Sequence, residues 1–163
     1  KDQRTLIDAA VLCRDRIPEL KVLLAGNGPL ESTLREQISG NHAEGYIRLL
    51  GYRTDLERVV PAADVIVSCS HREGLGLNLI EGMLCGKMVI AVENRGHREL
   101  VEDGVTGYLI PAGDSRALAE VLVKLYKSGA RQRLGQAGYE KARLYTDQNV
   151  KRELKELYGY EEN

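Results

Sequence analysis

Net charge is almost absent from this chain. Its 23 lysines and arginines are matched by 24 aspartates and glutamates, which leaves no strongly basic surface of the kind a nucleic-acid backbone attracts. Cysteine is scarce and odd in number. Cys13, Cys69 and Cys85 lie within apolar helix or strand patterns, which argues against a disulfide framework and for buried, reduced thiols in a cytosolic protein. The three histidines, His42, His71 and His97, are scattered, so no metal-ligand spacing appears. No apolar run approaches the length of a membrane span, and no secretory leader is visible. An initiating methionine is missing as well, and a start on Lys1-Asp2-Gln3 reads as a fragment. What remains is 163 residues with 43% hydrophobic content, enough for one domain with a buried core.

Short strands alternate with helices along most of the sequence. Helical patterns run over 2–14, with Leu6, Ala10 and Cys13 in register, then over 30–38, 55–60 (stopped at Pro61), 77–85, 114–127, 130–144 and 147–158. Strand patterns cover 21–25, 46–50, 64–69, 88–92 and 107–110, and residues 93–99 read as a loop. The alternation predicts an α/β chain of βαβ units, a Rossmann-like and mostly parallel sheet with helices on both faces. Ligands of such sheets bind beyond the carboxyl ends of the strands. Three turns stand there, at Gly26–Pro29, Gly51–Arg53 and Ser70–Gly76, and can converge on one crevice.

The richest stretch is His71 to Glu81, where Glu73 and Glu81 bracket a glycine turn. The start of the following helix offers free backbone N–H groups and the positive end of the dipole, which favours phosphate. Carboxylates beside a phosphate repel it unless they face neutral, hydroxyl-rich parts of the same ligand, and a sugar nucleotide has both parts. Along helix 77–85, Leu77, Ile80, Met83 and Leu84 form a core stripe, with Asn78, Glu81, Gly82 and Cys85 opposite. Glu81 lies roughly 6 Å down the axis, where a carboxylate can accept two hydrogen bonds from a vicinal diol such as ribose. The plainer alternative makes both glutamates helix-start acids, each favoured by about 0.3–1 kcal/mol. Glycine at 82 costs on the order of 1 kcal/mol against alanine, so a close neighbour is expected there. The Gly26-x-Gly28 pair lacks the third glycine of a dinucleotide fingerprint, since position 31 is Glu31. It reads instead as a tight turn that lets a ligand approach. Among Arg53, Arg72, Arg95 and Arg98, Arg53 is the preferred cleft residue because it ends a strand; the charged run 151–156 is a solvated helix face.

These residues resemble the C-terminal, nucleotide-sugar-binding domain of family 4 retaining glycosyltransferases, the "glycosyl transferases group 1" domain of the GT-B fold. The signature is Glu73, seven residues, Glu81, continuing through Gly82 to Ala91. It is joined by Gly26 to Leu30, Gly51-Tyr52-Arg53, Ala63-Asp64-Val65, Gly96-His97-Arg98-Glu99 and Asp103 to Tyr108. The resemblance covers nearly the whole chain and implies roles. Glu73, the catalytic assignment, hydrogen-bonds the donor sugar, and Gly74, Leu75, Gly76, Leu77 and Asn78 approach sugar and diphosphate. Glu81 takes the ribose hydroxyls, Gly51, Tyr52 and Arg53 border the base, Gly26 and Gly28 edge the cleft, and Lys1 pairs with the diphosphate. Three positions depart from the family pattern: Gly82 for alanine, Met88 for proline and Asp2 for glycine.

The resemblance also implies that a first strand with a phosphate-binding arginine precedes Lys1, and that an N-terminal acceptor domain completes the site. The expected activity is sugar transfer with retention from a nucleotide sugar, UDP- in preference to GDP- or ADP-, to a saccharide or lipid-linked acceptor. Neither metal nor cofactor is expected, and the fragment alone is expected to be inactive. The run Asn94 to Glu99 looks most like enzymes of exopolysaccharide, capsule or lipopolysaccharide synthesis. The implied location is cytoplasmic, with a peripheral place on the inner membrane face open to the full-length protein. An epimerase of the same scaffold and a non-catalytic binding domain stay open as alternatives.

Overall fold

The computed structural model describes residues 1–158. Helix α1, Gln3–Cys13, passes through a 3₁₀ turn at Arg14–Arg16 into strand β1, Val22–Ala25. Helix α2, Glu31–Gly40, leads to strand β2, Ile47–Gly51, and helix α3, Leu56–Ala62, to strand β3, Val65–Ser68. Next come helix α4, Leu77–Leu84, strand β4, Met88–Val92, helix α5, Arg95–Leu100, and strand β5, Gly107–Ile110. Three helices close the chain: α6 at Ser115–Ser128, α7 at Arg131–Ala142 and α8 at Asp147–Tyr158.

Every strand pair is parallel, as the alternation predicts, but the strands form two sheets. One is β1–β2 and the other is β3–β4–β5 in that order. Strands β1, β2, β3 and β5 therefore each keep an edge without a ladder partner among the described residues. Strand β4 is buried at every position, the mark of a parallel strand covered on both faces. Its Met88, Ile90 and Val92 pack with Ala9 and Cys13 of α1 and Leu118 and Val123 of α6. Val89 and Ala91 pack with Leu79 and Met83 of α4, Leu100 of α5 and Ala142 of α7. Helix α1 also serves the smaller sheet, where Ile7 and Ala10 meet Val22, Leu34, Ile38 and Ile47. One amphipathic helix thus lies on both sheets.

Four local expectations need correction. Residues 93–99 hold helix α5, because the Asn94 side chain accepts from the His97 N–H at 2.9 Å and caps a helix too short to show an apolar period. Helix α3 runs through Pro61 to Ala62; so near its end, proline sacrifices only one backbone hydrogen bond. Leu77 is 67% exposed, and Leu79 takes the buried place on α4. Cys85 is exposed, whereas Cys13 and Cys69 are buried; all three are free thiols. The close neighbour expected of Gly82 is Ile66 of β3: a Cβ at 82 would stand 2.6 Å from its Cγ1.

Candidate functional site

The parallel register brings the carboxyl end of β3 beside that of β4, and the chain leaves β3 through Cys69-Ser70-His71-Arg72 to Glu73. At Gly76 the backbone takes φ 69° and ψ 56°, the left-handed region that glycine enters without a Cβ penalty. This turn starts α4, and no side chain caps it. The first N–H groups of the helix are thus left for another acceptor, on the positive end of the dipole.

An open cavity of about 370 Å³ lies at this helix start, lined by Lys1, Glu73, Leu75, Gly76, Leu77 and Asn78. The Lys1 ammonium hydrogen-bonds Glu73 Oε1. That contact holds the Glu73 carboxyl below the usual carboxylate range; burial opposes it, and a Ser70 hydroxyl hydrogen bond reinforces it. The Glu73 side chain keeps 16% of its exposure, so the carboxylate is set into the wall yet reachable. A cation, a carboxylate and a helix start thus share one mouth.

Asp2 ties the entrance of α1 to the same loop. Its backbone is left-handed, with φ 48° and ψ 50°, a conformation that aspartate tolerates better than most residues. Its carboxylate accepts from Thr5 Oγ1 at 2.6 Å and meets His71 Nε2 at 2.8 Å. Burial pushes the Asp2 carboxyl up, but these hydrogen bonds outweigh it and hold it below its ordinary value.

Gly26, Gly28, Gly51, Tyr52 and Arg53 stand in a second neighbourhood, at the carboxyl ends of β1 and β2. The Gly26 N–H donates to the Gly51 carbonyl at 2.7 Å, so the two glycine turns are joined. Gly28 is exposed, and Tyr52 is 73% exposed. Arg53 donates from Nε and Nη2 to Asp55 at 2.8 and 2.6 Å, which fixes its guanidinium locally. Glu81 is exposed on α4. A separate hollow of about 280 Å³, lined by Lys21, Leu23, Tyr46 and Arg48, opens beside Lys21 and Tyr46, the residues that lead into β1 and β2. It lies away from the carboxyl ends where α/β sheets hold ligands.

Sequence reasoning placed Ser70 in a strand-end turn and used Asn94 and His97 only as marks of resemblance; it gave none of the three a role at the site, where they stand behind the Glu73 loop. His97 is wholly buried. Its Nδ1 lies 2.6 Å from the Val92 carbonyl and 3.0 Å from Asn94 Nδ2, and its Nε2 lies 3.3 Å from Ser68 Oγ. Asn94 Nδ2 donates to the Ser70 carbonyl at 2.8 Å. An asparagine three residues before a buried histidine was the available signal, as an N-cap.

Comparison with known proteins gives this geometry its family. The family model described as "Glycosyl transferases group 1" matches residues 1–141. The chain belongs to that family. EpsD of Bacillus subtilis (strain 168), named as a glycosyltransferase, is 38% identical over 160 residues, 98% of this chain and 42% of its own length. The amylovoran biosynthesis glycosyltransferase AmsK of Erwinia amylovora is 32% identical over 115 residues, 66% of this chain and 28% of its own. The crystal structure of HepE from Anabaena in complex with UDP and glucose superposes with a TM-score of 0.88 at 28% identity, covering 99% of this chain and 45% of that one. The glycosyltransferase fold of this family, of which the chain forms the C-terminal domain, is thereby shown. The chain spans less than half the length of these relatives.

Proposed function

We propose that this chain is the donor-binding half of a retaining glycosyltransferase that moves a hexosyl group from a nucleotide sugar to a saccharide or lipid-linked acceptor. The observation that carries the reading is the shared mouth of Lys1, Glu73 and the uncapped start of α4. A diphosphate takes the Lys1 ammonium and the α4 N–H groups. Glu73, released from its partner, accepts from sugar hydroxyls, while Glu81 takes the ribose diol and the Gly51–Arg53 turn borders the base. Cationic groups and a helix start placed where the diphosphate gains charge supply the electrostatic stabilisation that such a departure needs. The proposed reaction calls on neither a metal nor a cofactor. UDP is preferred to GDP or ADP because HepE holds UDP on the same fold.

A strand preceding Lys1 and an N-terminal acceptor domain complete the proposed enzyme. The strand is supported by the unpaired edges of β1 and β3. It is supported too by the contacts of Lys1 and Asp2 with Glu73 and His71, which bring any preceding segment to the carboxyl end of β3. A strand ending there would run parallel to β3. Surface-polysaccharide synthesis is the proposed setting, on the likeness of Asn94 to Glu99 to such enzymes and the relative named for amylovoran. The proposed place is the cytoplasm, with a peripheral place on the inner membrane face open to the full-length protein. Among the described residues no helix is long and apolar enough to cross a membrane.

Calorimetric titration with UDP, GDP and ADP tests the reading, with Glu81→Ala beside the wild type. Selective UDP binding at tens to hundreds of micromolar, about −5 to −6 kcal/mol, lost in Glu81→Ala, is the expected result. Equal binding of all three nucleotides, or an unaffected mutant, overturns the assignment of base or ribose. Acceptor-dependent transfer by the 163 residues alone would refute the need for a second domain.

A further inference from the structure

Helix α5 touches the Glu73 loop at three separate points, all from its first turn. Asn94 spans two elements: its Oδ1 caps α5 through the His97 N–H, and its Nδ2 donates to the Ser70 carbonyl. Gly96 lies so close to the loop that a Cβ there would stand 2.5 Å from the Glu73 carbonyl oxygen and 2.8 Å from that of Gly74. His97 packs beneath the other end, where a Cβ at Gly76 would come within 3.1 Å of its Cδ2. The imidazole is itself fixed to the carboxyl ends of β4 and β3 through Val92 and Ser68.

These contacts set the direction of two peptide planes. In a trans peptide the carbonyl and the following N–H point opposite ways. With the Glu73 and Gly74 carbonyls turned on Gly96, the N–H groups of Gly74 and Leu75 are turned away from α5. We propose that Asn94, Gly96 and His97 are positioning residues for the donor's β-phosphate. The first turn of α5 is a mould that holds the Gly74 and Leu75 N–H groups toward the cavity and Glu73 at its rim. None of the three needs to touch the ligand. Gly96 is required because any side chain would push the loop forward, and His97 because the left-handed turn at Gly76 rests on its ring. The inference rests on the donor-binding reading for its ligand, but not for its geometry.

The test compares Gly96→Ala and Asn94→Ser with the wild type. Serine at 94 keeps an N-cap and removes the amide that reaches Ser70, so this variant separates positioning from folding if Gly96→Ala fails to fold. Backbone amide NMR shifts read the loop without any ligand, and UDP and UMP differ by the β-phosphate alone. Expected are shifted amide resonances at residues 74–77, with β4 and α6 unchanged, and UDP binding weakened about tenfold, as for one lost charge-assisted hydrogen bond, while UMP binding stays constant. Wild-type amide shifts at 74–77 in Asn94→Ser overturn the mould, as does an equal loss of UDP and UMP. If the wild type binds neither nucleotide, the donor reading falls, and the amide shifts still decide whether α5 sets the loop.

Discussion

At the scale of single residues, Glu73 is the side chain whose chemistry and setting most nearly coincide. The Lys1 hydrogen bond keeps its folded carboxyl below the ordinary value of 4.5. A depressed carboxyl contributes stability that is fully present above the unfolded value and is lost as pH falls through the folded one. The expected outcome is that Glu73→Gln melts below the wild type at neutral pH and that the two melting curves converge in acid. Thermal melts from about pH 7 down to about pH 3 check it, since that range spans both carboxyl states. Thiols give a second readout. Burial pushes the Cys69 thiol up to about 12 and raises Cys13 as well, whereas Cys85 is exposed. A maleimide or aromatic disulfide reagent is therefore expected to label one cysteine in the native protein, at Cys85, and three after denaturation. Mass spectrometry of the labelled peptides decides. Residue identity alone did not separate these cysteines, because Cys85 ends α4 on the face that turns outward.

Among elements, the strands and long helices were legible because burial imposes a pattern on them. The run Met88 to Val92 has no alternation and is buried on both faces, and the period of α6 shows in the buried pairs Leu118 and Leu125, and Ala119 and Val123. Helix α5 was not legible. Six residues from Arg95 to Leu100 carry too few apolar positions to define a period, and its role depends on contacts with a loop distant in sequence. Helix α4 shows the same limit on a finer scale: its composition marked a buried face, but the turn at Gly76 sets which leucine is turned inward. Gly82 offers the sharpest test of that packing. Replacing it with alanine drives a methyl into Ile66, so Gly82→Ala is expected to lose about 1–3 kcal/mol, the usual range for overpacking. Adding Ile66→Ala, which removes the Cγ1 and Cγ2 that the methyl would strike, should restore part of the loss, a coupling expected of residues in contact. Urea unfolding of both variants and the double mutant supplies the cycle; additive losses would show that the methyl finds room elsewhere.

On the scale of the whole molecule, the order of strands and helices was readable from the sequence, and so was the edge of the fold where a ligand belongs. The division into two sheets was not. Strand patterns report burial of side chains, whereas sheet continuity depends on which backbone edges meet, and no residue type records that. Helix α1 joins the two sheets through side chains on neighbouring faces, with Ile7 and Ala10 on one and Ala9 and Cys13 on the other. Unpaired edges are also places where separate chains pair. Sedimentation of the 163-residue chain is expected to show self-association that rises with concentration, and a monomer throughout would mean that these edges are shielded. The same feature makes this protein a natural subject for fragment reconstitution. Edges left open within a finished core act as a socket, and a synthetic peptide carrying a matching strand should be captured in trans, raising the melting temperature in proportion to how well its sequence fits.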